Sequence, residues 1–372
     1  MQYPDRWQSL DVTLCHDWLT GMRGGERVLE ILCEGFPNAP IVTLIHNASV
    51  ISDTINRHRI STSGLQRIPG IFKNYRAFLP CFPTTIACMP RATGNLVIST
   101  SHCVAKSLKS DARTRHLCYC FTPMRYAWTF QDEYFAGRPV KALLARPLLA
   151  MLRNWDRRTA SRVDRFVAIS EHVRKRIETH YGREADVVYP PVNTHLWTPG
   201  ETGPKSFAFD LVVSALVPYK RVDLAVQAYS QSGFPLKVVG VGGELERLRK
   251  QAAPNIEFLE WQADEKILEL YRSCRMLVFP GEEDFGIVPL EAQSCGRPVC
   301  AYHRGGALET VKEGETGVFF SEQDESSLLD AVDRCAAVDW DSAKIRAHAE
   351  NFGVQRFIDG LNRSIEACLN PA

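Results

Sequence analysis

The chain has 372 residues, 45% of them hydrophobic and 23% charged, with a net charge of +1. That balance suits a soluble globular protein of two domains. It excludes a membrane span, since no run of about 18 apolar residues occurs, and Met1 to Leu14 lacks the basic-then-apolar pattern of a secretory leader. The twelve cysteines include no CxxC pair, and several lie inside apolar runs. They read as buried reduced thiols, not as disulfides or zinc ligands.

In chain order, Asp11–Cys15, Asn95–Ser99, His116–Cys120, Arg165–Ile169 and Asp186–Tyr189 are short β-rich runs separated by helical patterns. The second half repeats the scheme with Leu211–Leu216, Leu236–Val241, Asn255–Leu259, Met276–Phe279 and Val299–Tyr302. Strand–helix alternation twice over predicts an α/β protein with two parallel, doubly wound, Rossmann-like sheets. The proline- and glycine-rich stretch from Tyr189-Pro-Pro-Val-Asn to Thr202-Gly-Pro-Lys predicts a linker. The expected boundaries are a first domain over 1–190, a linker over 191–206, a second domain over 207–350 and a terminal helix over 351–372. In that helix Val354, Phe357, Ile358, Leu361 and Ile365 share one face.

The two halves differ in charge. Residues 1–192 carry 26 Lys and Arg against 16 Asp and Glu, whereas 193–372 carry the remaining 18 against 27. The first half is thus suited to an anionic surface or ligand. Between Asp53 and Asp111 there is no acidic residue, while Arg57, Arg59, Arg67, Lys73, Arg76, Arg91, Lys106 and Lys109 alternate with Leu65, Ile68, Ile71, Phe72, Tyr75, Phe78, Leu79 and Phe82. A second such segment runs from Arg138 through Lys141, Leu143, Leu144, Arg146, Leu148, Leu149 and Arg153 to Arg158. The expectation is a face resting on anionic lipid. The helices of this half lack the aromatic–basic interleaving of a nucleic-acid module, so no nucleic-acid partner is expected.

The most informative stretch is Phe279-Pro-Gly-Glu-Glu-Asp-Phe-Gly-Ile-Val-Pro-Leu-Glu-Ala, which runs from strand through loop into helix. Gly286, Ile287 and Val288 lie where a loop enters a helix, and the unpaired N–H groups there suit a diphosphate. Glu291, in the first turns, is placed for ribose hydroxyls, and Glu283, on the loop, for a sugar. This Glu283-x7-Glu291 motif, with Asp284-Phe285-Gly286 inside it, closely resembles the signature of glycosyltransferase family 4, and is most similar to bacterial mannosyltransferases that assemble O-antigen and exopolysaccharide.

The resemblance extends along nearly the whole chain. It implies the GT-B architecture, with a cleft between the domains and the terminal helix packed back on the first. Ser214-Ala-Leu-Val-Pro-Tyr-Lys220-Arg221 resembles the family's strand-end element, which makes Lys220 the cation for the donor diphosphate, assisted by Arg221. Many relatives carry an arginine where Ala215 stands. His16-Asp17-Trp18-Leu-Thr-Gly21-Met-Arg-Gly24-Gly25 is similar to the family's first strand–loop–helix. Adjacent Gly24 and Gly25 let the backbone approach a ligand, and Trp18 falls on the acceptor side. Cys118-Tyr-Cys-Phe121-Thr122-Pro-Met-Arg125-Tyr126 resembles a further segment, implying acceptor contacts by Thr122, Arg125 and Tyr126. Relatives often have histidine at Phe121; His102 and His16 are the candidate stand-ins. Ser170, Gly240, Trp261 and Gln262 match further positions around the donor.

These resemblances imply a retaining transfer of a hexose, mannose from GDP-mannose, to a lipid-linked or soluble saccharide. Stabilisation of the leaving diphosphate would carry the catalysis. No Asp-x-Asp pair occurs, so no obligatory metal and no cofactor are expected. Expected placement is cytoplasmic, peripheral at the inner membrane face. The alternatives are a UDP-sugar donor in the same family, or a nucleotide-sugar 2-epimerase of like architecture, which the Glu283-Asp-Phe-Gly loop disfavours.

Overall fold

A computed structural model of the chain describes residues 1–128, 139–200 and 208–371. It divides into two compact units, one of Met1–Pro190 with Phe357–Ala372, the other of Pro191–Arg356. Unit 1 is built on a seven-stranded sheet of order β3-β2-β1-β4-β5-β6-β7. Its strands are β1 Val12–His16, β2 Ile41–Thr43, β3 Ile60–Thr62, β4 Leu96–Ser101, β5 Arg115–Cys120, β6 Arg165–Ala168 and β7 Ala185–Val187. Unit 2 is built on six strands of order β10-β9-β8-β11-β12-β13: β8 Asp210–Val213, β9 Leu236–Val239, β10 Ile256–Glu260, β11 Leu277–Phe279, β12 Val299–Tyr302 and β13 Gly317–Phe320. Every pairing between named strands is parallel. The chain thus contains two Rossmann-like sheets, as the strand–helix alternation predicts.

Both sheets hold their central strands between helical layers, so β1, β4, β11 and β12 are buried along their whole length. Strands β2, β3 and β13 have three or four residues each and leave no periodic signal. Their order in the sheets is fixed by pairing instead, as with Ile41 against Leu14 and Val299 against Gly317.

The stretch expected to be a linker is in part packed. Trp197 is buried and meets Tyr271 edge-on at 5.5 Å. Arg272 donates to Thr198 Oγ1 at 2.6 Å, and Arg346 donates to the Thr194 and Trp197 carbonyls. These contacts make 191–200 part of unit 2, while 201–206 lie outside the described residues.

The final helix, Val354–Leu369, buries Phe357, Ile358, Leu361 and Ile365. Phe357 packs edge-on against Tyr119 of β5 at 5.5 Å. Trp7 Nε1 donates to Asn362 Oδ1 at 2.8 Å, and Ser364 Oγ donates to Asp186 Oδ2 at 2.7 Å. The chain's end is therefore an integral layer of unit 1.

Two histidines lie within this sheet. His16 Nδ1 is 2.7 Å from Thr100 Oγ1, and His116 Nε2 is 2.8 Å from Ser99 Oγ. Burial lowers each to about 4; Asp17 opposes it weakly at His16, and Asp164 at His116. In the unfolded chain a histidine titrates near ~6.5, so between there and about 4 the unfolded state takes up protons that the native state refuses. Stability is thus fully present above this window and lost as pH falls through it, by up to about 1.4 kcal/mol per pH unit for each group. The urea midpoint should be lower at about pH 5 than at about pH 7.5, and His116→Gln should narrow the difference. An unchanged pH dependence in the variant would contradict a neutral buried His116.

Candidate functional site

Doubly wound sheets bind ligands beyond the carboxyl ends of their strands, at the point where strand order reverses. In unit 1 that point lies between β1 and β4. The chain leaves β1 at His16 and enters the helix Gly24–Gly35, and leaves β4 at Ser101. The residue that organises this end is Asp17, completely buried. Its Oδ2 accepts from the N–H groups of His102 and Cys103 at 2.7 and 2.9 Å, and its Oδ1 from those of Val104 and Ala105 at 2.6 and 2.7 Å. His102 Nδ1 lies 3.1 Å from Oδ2. Burial pushes this carboxyl up, but the charge and hydrogen bonds of His102, with a smaller contribution from His16, hold it down to about 2.

Around this clamp lie the other expected residues of the first half. Trp18 is buried against Tyr75 and Phe82 and meets the His102 ring edge-on at 4.6 Å. It is a core brace rather than an open acceptor contact. Phe121 is half-buried, 6.5 Å from the His16 ring and 6.4 Å from that of His102. A Cβ at Gly25 would sit 3.3 Å from Phe121, so helix and ring meet closely there, whereas Gly24 is open. Glu26 is buried beside them: it accepts from Arg23 N at 3.2 Å, and its Oε1 lies 4.0 Å from His16 Nε2. Burial raises its carboxyl above the usual range. Thr122 is buried and accepts from Arg176 Nη1 at 3.4 Å, while Arg125 and Tyr126 are half-buried at the start of the short helix Arg125–Trp128. Ser170, expected at the donor, is buried, and its hydroxyl accepts from Val173 N as the cap of the helix Glu171–Tyr181.

In unit 2 the strand order reverses between β8 and β11. Beyond β8 the turn Pro218–Lys220 carries Lys220, whose Nζ forms an ion pair with Glu283 Oε1 from the loop after β11. A Cβ at Gly281 would come within 2.9 Å of the Lys220 backbone, so only glycine permits this approach of the two loops. Arg221 adopts a left-handed backbone (φ 50°), and its guanidinium donates to Gln323 Oε1 at 3.1 Å and pairs with Asp223. Ala215 is exposed.

Gly286, with φ of 92°, opens the helix Ile287–Ser294, and Ile287 and Val288 are half-buried in its first turn. One face of that helix carries Glu291, which accepts from Tyr271 OH at 3.0 Å. Phe285 is buried 6.0 Å from the Phe352 ring. Gly240 (φ 139°) ends β9 so close to β8 that a Cβ would lie 1.8 Å from Ser214 O. Trp261 is 73% exposed just past β10, and the Gln262 side chain donates back to Leu259 O.

The basic and apolar segments sort into two groups. Ile71, Tyr75 and Phe82 are core, with Leu65, Ile68, Phe72, Phe78 and Leu79 packed against it. Lys106 is not a surface cation: it is buried, 2.7 Å from Asp156 Oδ1. Arg57, Arg59, Arg67, Lys73, Arg76 and Arg91 are exposed, and on the helix Pro139–Ala160 so are Arg146, Leu143 (60%) and Met151 (55%). Arg138 and the side chains of Lys141 and Leu144 lie outside the described residues. Among the described residues, no helix is long and apolar enough to cross a membrane.

Residues 201–351 match the family model for glycosyl transferases group 1, and residues 100–196 match that for glycosyltransferase family 4. A D-inositol 3-phosphate glycosyltransferase of Rhodococcus erythropolis is 28% identical over 56% of this chain and 55% of its own length. One of Geodermatophilus obscurus is 31% identical over 55% and 53%. The chain thus spans about half the length of the curated relatives it matches. Among solved structures, Anabaena HepE in complex with UDP and glucose has a TM-score of 0.68 at 20% identity, covering 98% of this chain and all of that one. Sucrose-phosphate synthase from Thermosynechococcus elongatus has a TM-score of 0.69 at 17%, covering 96% and 98%. These likenesses show the two-sheet fold.

The Lys220–Glu283 pair generates a prediction. An anion arriving at Lys220 meets a carboxylate already in place. Lys220→Ala should lower nucleoside diphosphate affinity roughly 10- to 100-fold, the scale of a lost charged hydrogen bond. Glu283→Gln removes the competitor, so affinity measured by titration calorimetry should hold or rise while turnover falls. A parallel loss of affinity in both variants would contradict that competition.

Proposed function

We propose that this chain, which belongs to glycosyltransferase family 4, transfers a hexose from a nucleotide sugar to a saccharide hydroxyl with retention of anomeric configuration. The observation that carries the reading is the unit 2 constellation: Lys220 and Glu283 paired at the reversal of strand order, next to a helix N-terminus opened by Gly286 and followed by Glu291. Lys220 and the N–H groups of that first turn suit the charge that builds on a leaving diphosphate. In this reading Glu291 takes the ribose and Glu283 the sugar. No cofactor enters, and the chemistry assigned to these residues requires no metal.

The sequence resemblance favours GDP-mannose as donor. The HepE complexes with UDP, with UDP and glucose, and with UDP-glucose favour the second reading, a UDP-sugar. A thermal-shift panel of GDP, UDP and ADP separates them, because a ligand at 100 times its dissociation constant stabilises by about 2.7 kcal/mol. One nucleotide should stand out, and sugar transfer from its conjugate should require an added acceptor. Conversion of the donor without acceptor would favour an epimerase, and no response to any nucleotide would refute the donor site.

The acceptor in this proposal is lipid-linked, part of a bacterial surface polysaccharide, and the enzyme works peripherally at the inner face of the cytoplasmic membrane. Exposed Lys73, Arg76 and Arg146, with the exposed apolar Leu143 and Met151, support it. Each cation near an anionic surface contributes on the order of 1 kcal/mol. Binding to vesicles should rise with their anionic lipid content and fall with salt. Charge reversal at Lys73 and Arg76 should weaken it, whereas reversal at buried Lys106 should instead unfold the protein. Indifference to anionic vesicles at low salt would end the membrane reading.

A further inference from the structure

We infer that Asp17 and His102 act as a pair: the Asp17 carboxylate fixes the His102 imidazole so that its Nε2 accepts a hydrogen bond from a hydroxyl of the saccharide acceptor. This rests on the transferase reading above. Of the two histidines at the end of β1 and β4, only one is accessible. His16 is buried and committed to Thr100. The His102 side chain is 28% exposed, and its Nε2 has no partner among the described residues.

The ring is held on three sides. Asp17 Oδ2 faces Nδ1 at 3.1 Å. The Trp18 edge lies 4.6 Å away at an interplanar angle of 83°. Phe121 closes a further side at 6.4 Å. The carboxylate cannot turn away, since both oxygens are anchored by the four N–H groups of residues 102 to 105.

An ionised carboxylate can only accept, so the neutral ring must give it the Nδ1 proton and keep its lone pair on Nε2. That lone pair stands where strand order reverses, the ligand-binding end of such a sheet. Phe121 beside it has no hydrogen-bonding group, so polar recognition at this corner falls to His102. The other titratable groups nearby are Glu26, on the helix Gly24–Gly35, and His16 on β1. His102 is thereby the contacting residue and Asp17 its positioning residue.

Two measurements test this on the full chain. Nitrogen NMR of histidine-labelled protein should show the neutral His102 ring as the Nδ1–H tautomer; the Nε2–H tautomer would overturn the pairing. In transfer assays His102→Ala should lower kcat/KM for the acceptor at least about tenfold, as loss of such a hydrogen bond requires, with nucleoside diphosphate affinity unchanged. His102→Gln, which keeps an acceptor oxygen, should recover part of the loss. Asp17→Asn should weaken the preference for the Nδ1–H tautomer in the same spectra and lower kcat/KM for the acceptor toward the His102→Ala value, with nucleoside diphosphate affinity unchanged. Acceptor kinetics within about twofold of wild type in a folded His102→Ala protein would overturn the contact. Wild-type protein that transfers no sugar at all would defeat the transferase reading instead, and the tautomer measurement would still decide the pair.

Discussion

One buried carboxylate holds the functional end of the first sheet together. An unpaired Asp17 in that setting would be costly in free energy, yet four backbone N–H groups and an imidazole satisfy it. The consequence propagates along the chain. The loop fixed by Asp17 runs straight into the turn Ala105–Ser107, which delivers Lys106 to Asp156 of the helix Pro139–Ala160. Asp156 Oδ2 in turn accepts from Trp128 Nε1 at 2.7 Å and Tyr181 OH at 2.8 Å. A line of charges and donors thus runs from the end of β1 to the helices that cover β5 and β6. The position of His102 is a by-product of the same anchoring.

Unit 2 reaches a comparable geometry by a different route. Its loops converge through close backbone approach, which side chains would prevent. At Gly306 a Cβ would lie 2.2 Å from the Phe285 Cα, and the Gly306 N–H donates to Glu283 O at 2.7 Å. The carbonyl of the residue that pairs with Lys220 is therefore held by a glycine that tolerates no replacement. Gly240 meets the same condition at β9, where both its φ and its distance to Ser214 exclude other residues. At Gly240, Gly281 and Gly306 glycine is a packing requirement set by close backbone approach.

These differences explain what could be read in the sequence. Strands such as Asn95–Ser99 and Val299–Tyr302 were legible because they are apolar runs bounded by turn residues, and a run of that kind reflects burial on both faces. Ile41–Thr43 and Gly317–Phe320 were not, because their identity comes from neighbours far along the chain. Glu283, Gly286 and Glu291 were legible as a motif because loop and helix keep them at fixed spacing. Asp17 stood inside a recognised motif but drew no role, since its partners are backbone groups 85 to 88 residues away. A carboxylate directly after the β-rich run Asp11–Cys15 and His16 is the available signal. Ser170 and Trp18 carry structural duties that the motif does not express: the Ser170 hydroxyl caps a helix, and the Trp18 indole is packed in the core.

The sharpest case is a comparison of two lysine–carboxylate pairs. Lys106–Asp156 and Lys220–Glu283 have the same chemistry, and each lysine follows a strand-end loop. In the first pair the side chains are 2% and 0% exposed, and Lys106 Nζ also donates to the Asp156 carbonyl and to Thr159. Removing one member would leave a buried charge unanswered, at a cost of about 3–5 kcal/mol. In the second pair the side chains are 16% and 21% exposed, and water can take over either charge. A pair with this much solvent access is screened more than a fully buried one and contributes less to stability. The first pair is therefore architecture, and the second is left available for the ligand role proposed for it. What separates them is the number of donors and acceptors already committed around each charge, a three-dimensional quantity. A basic run in the sequence cannot express it, which is why Lys106 read as surface beside Lys109 and Arg91.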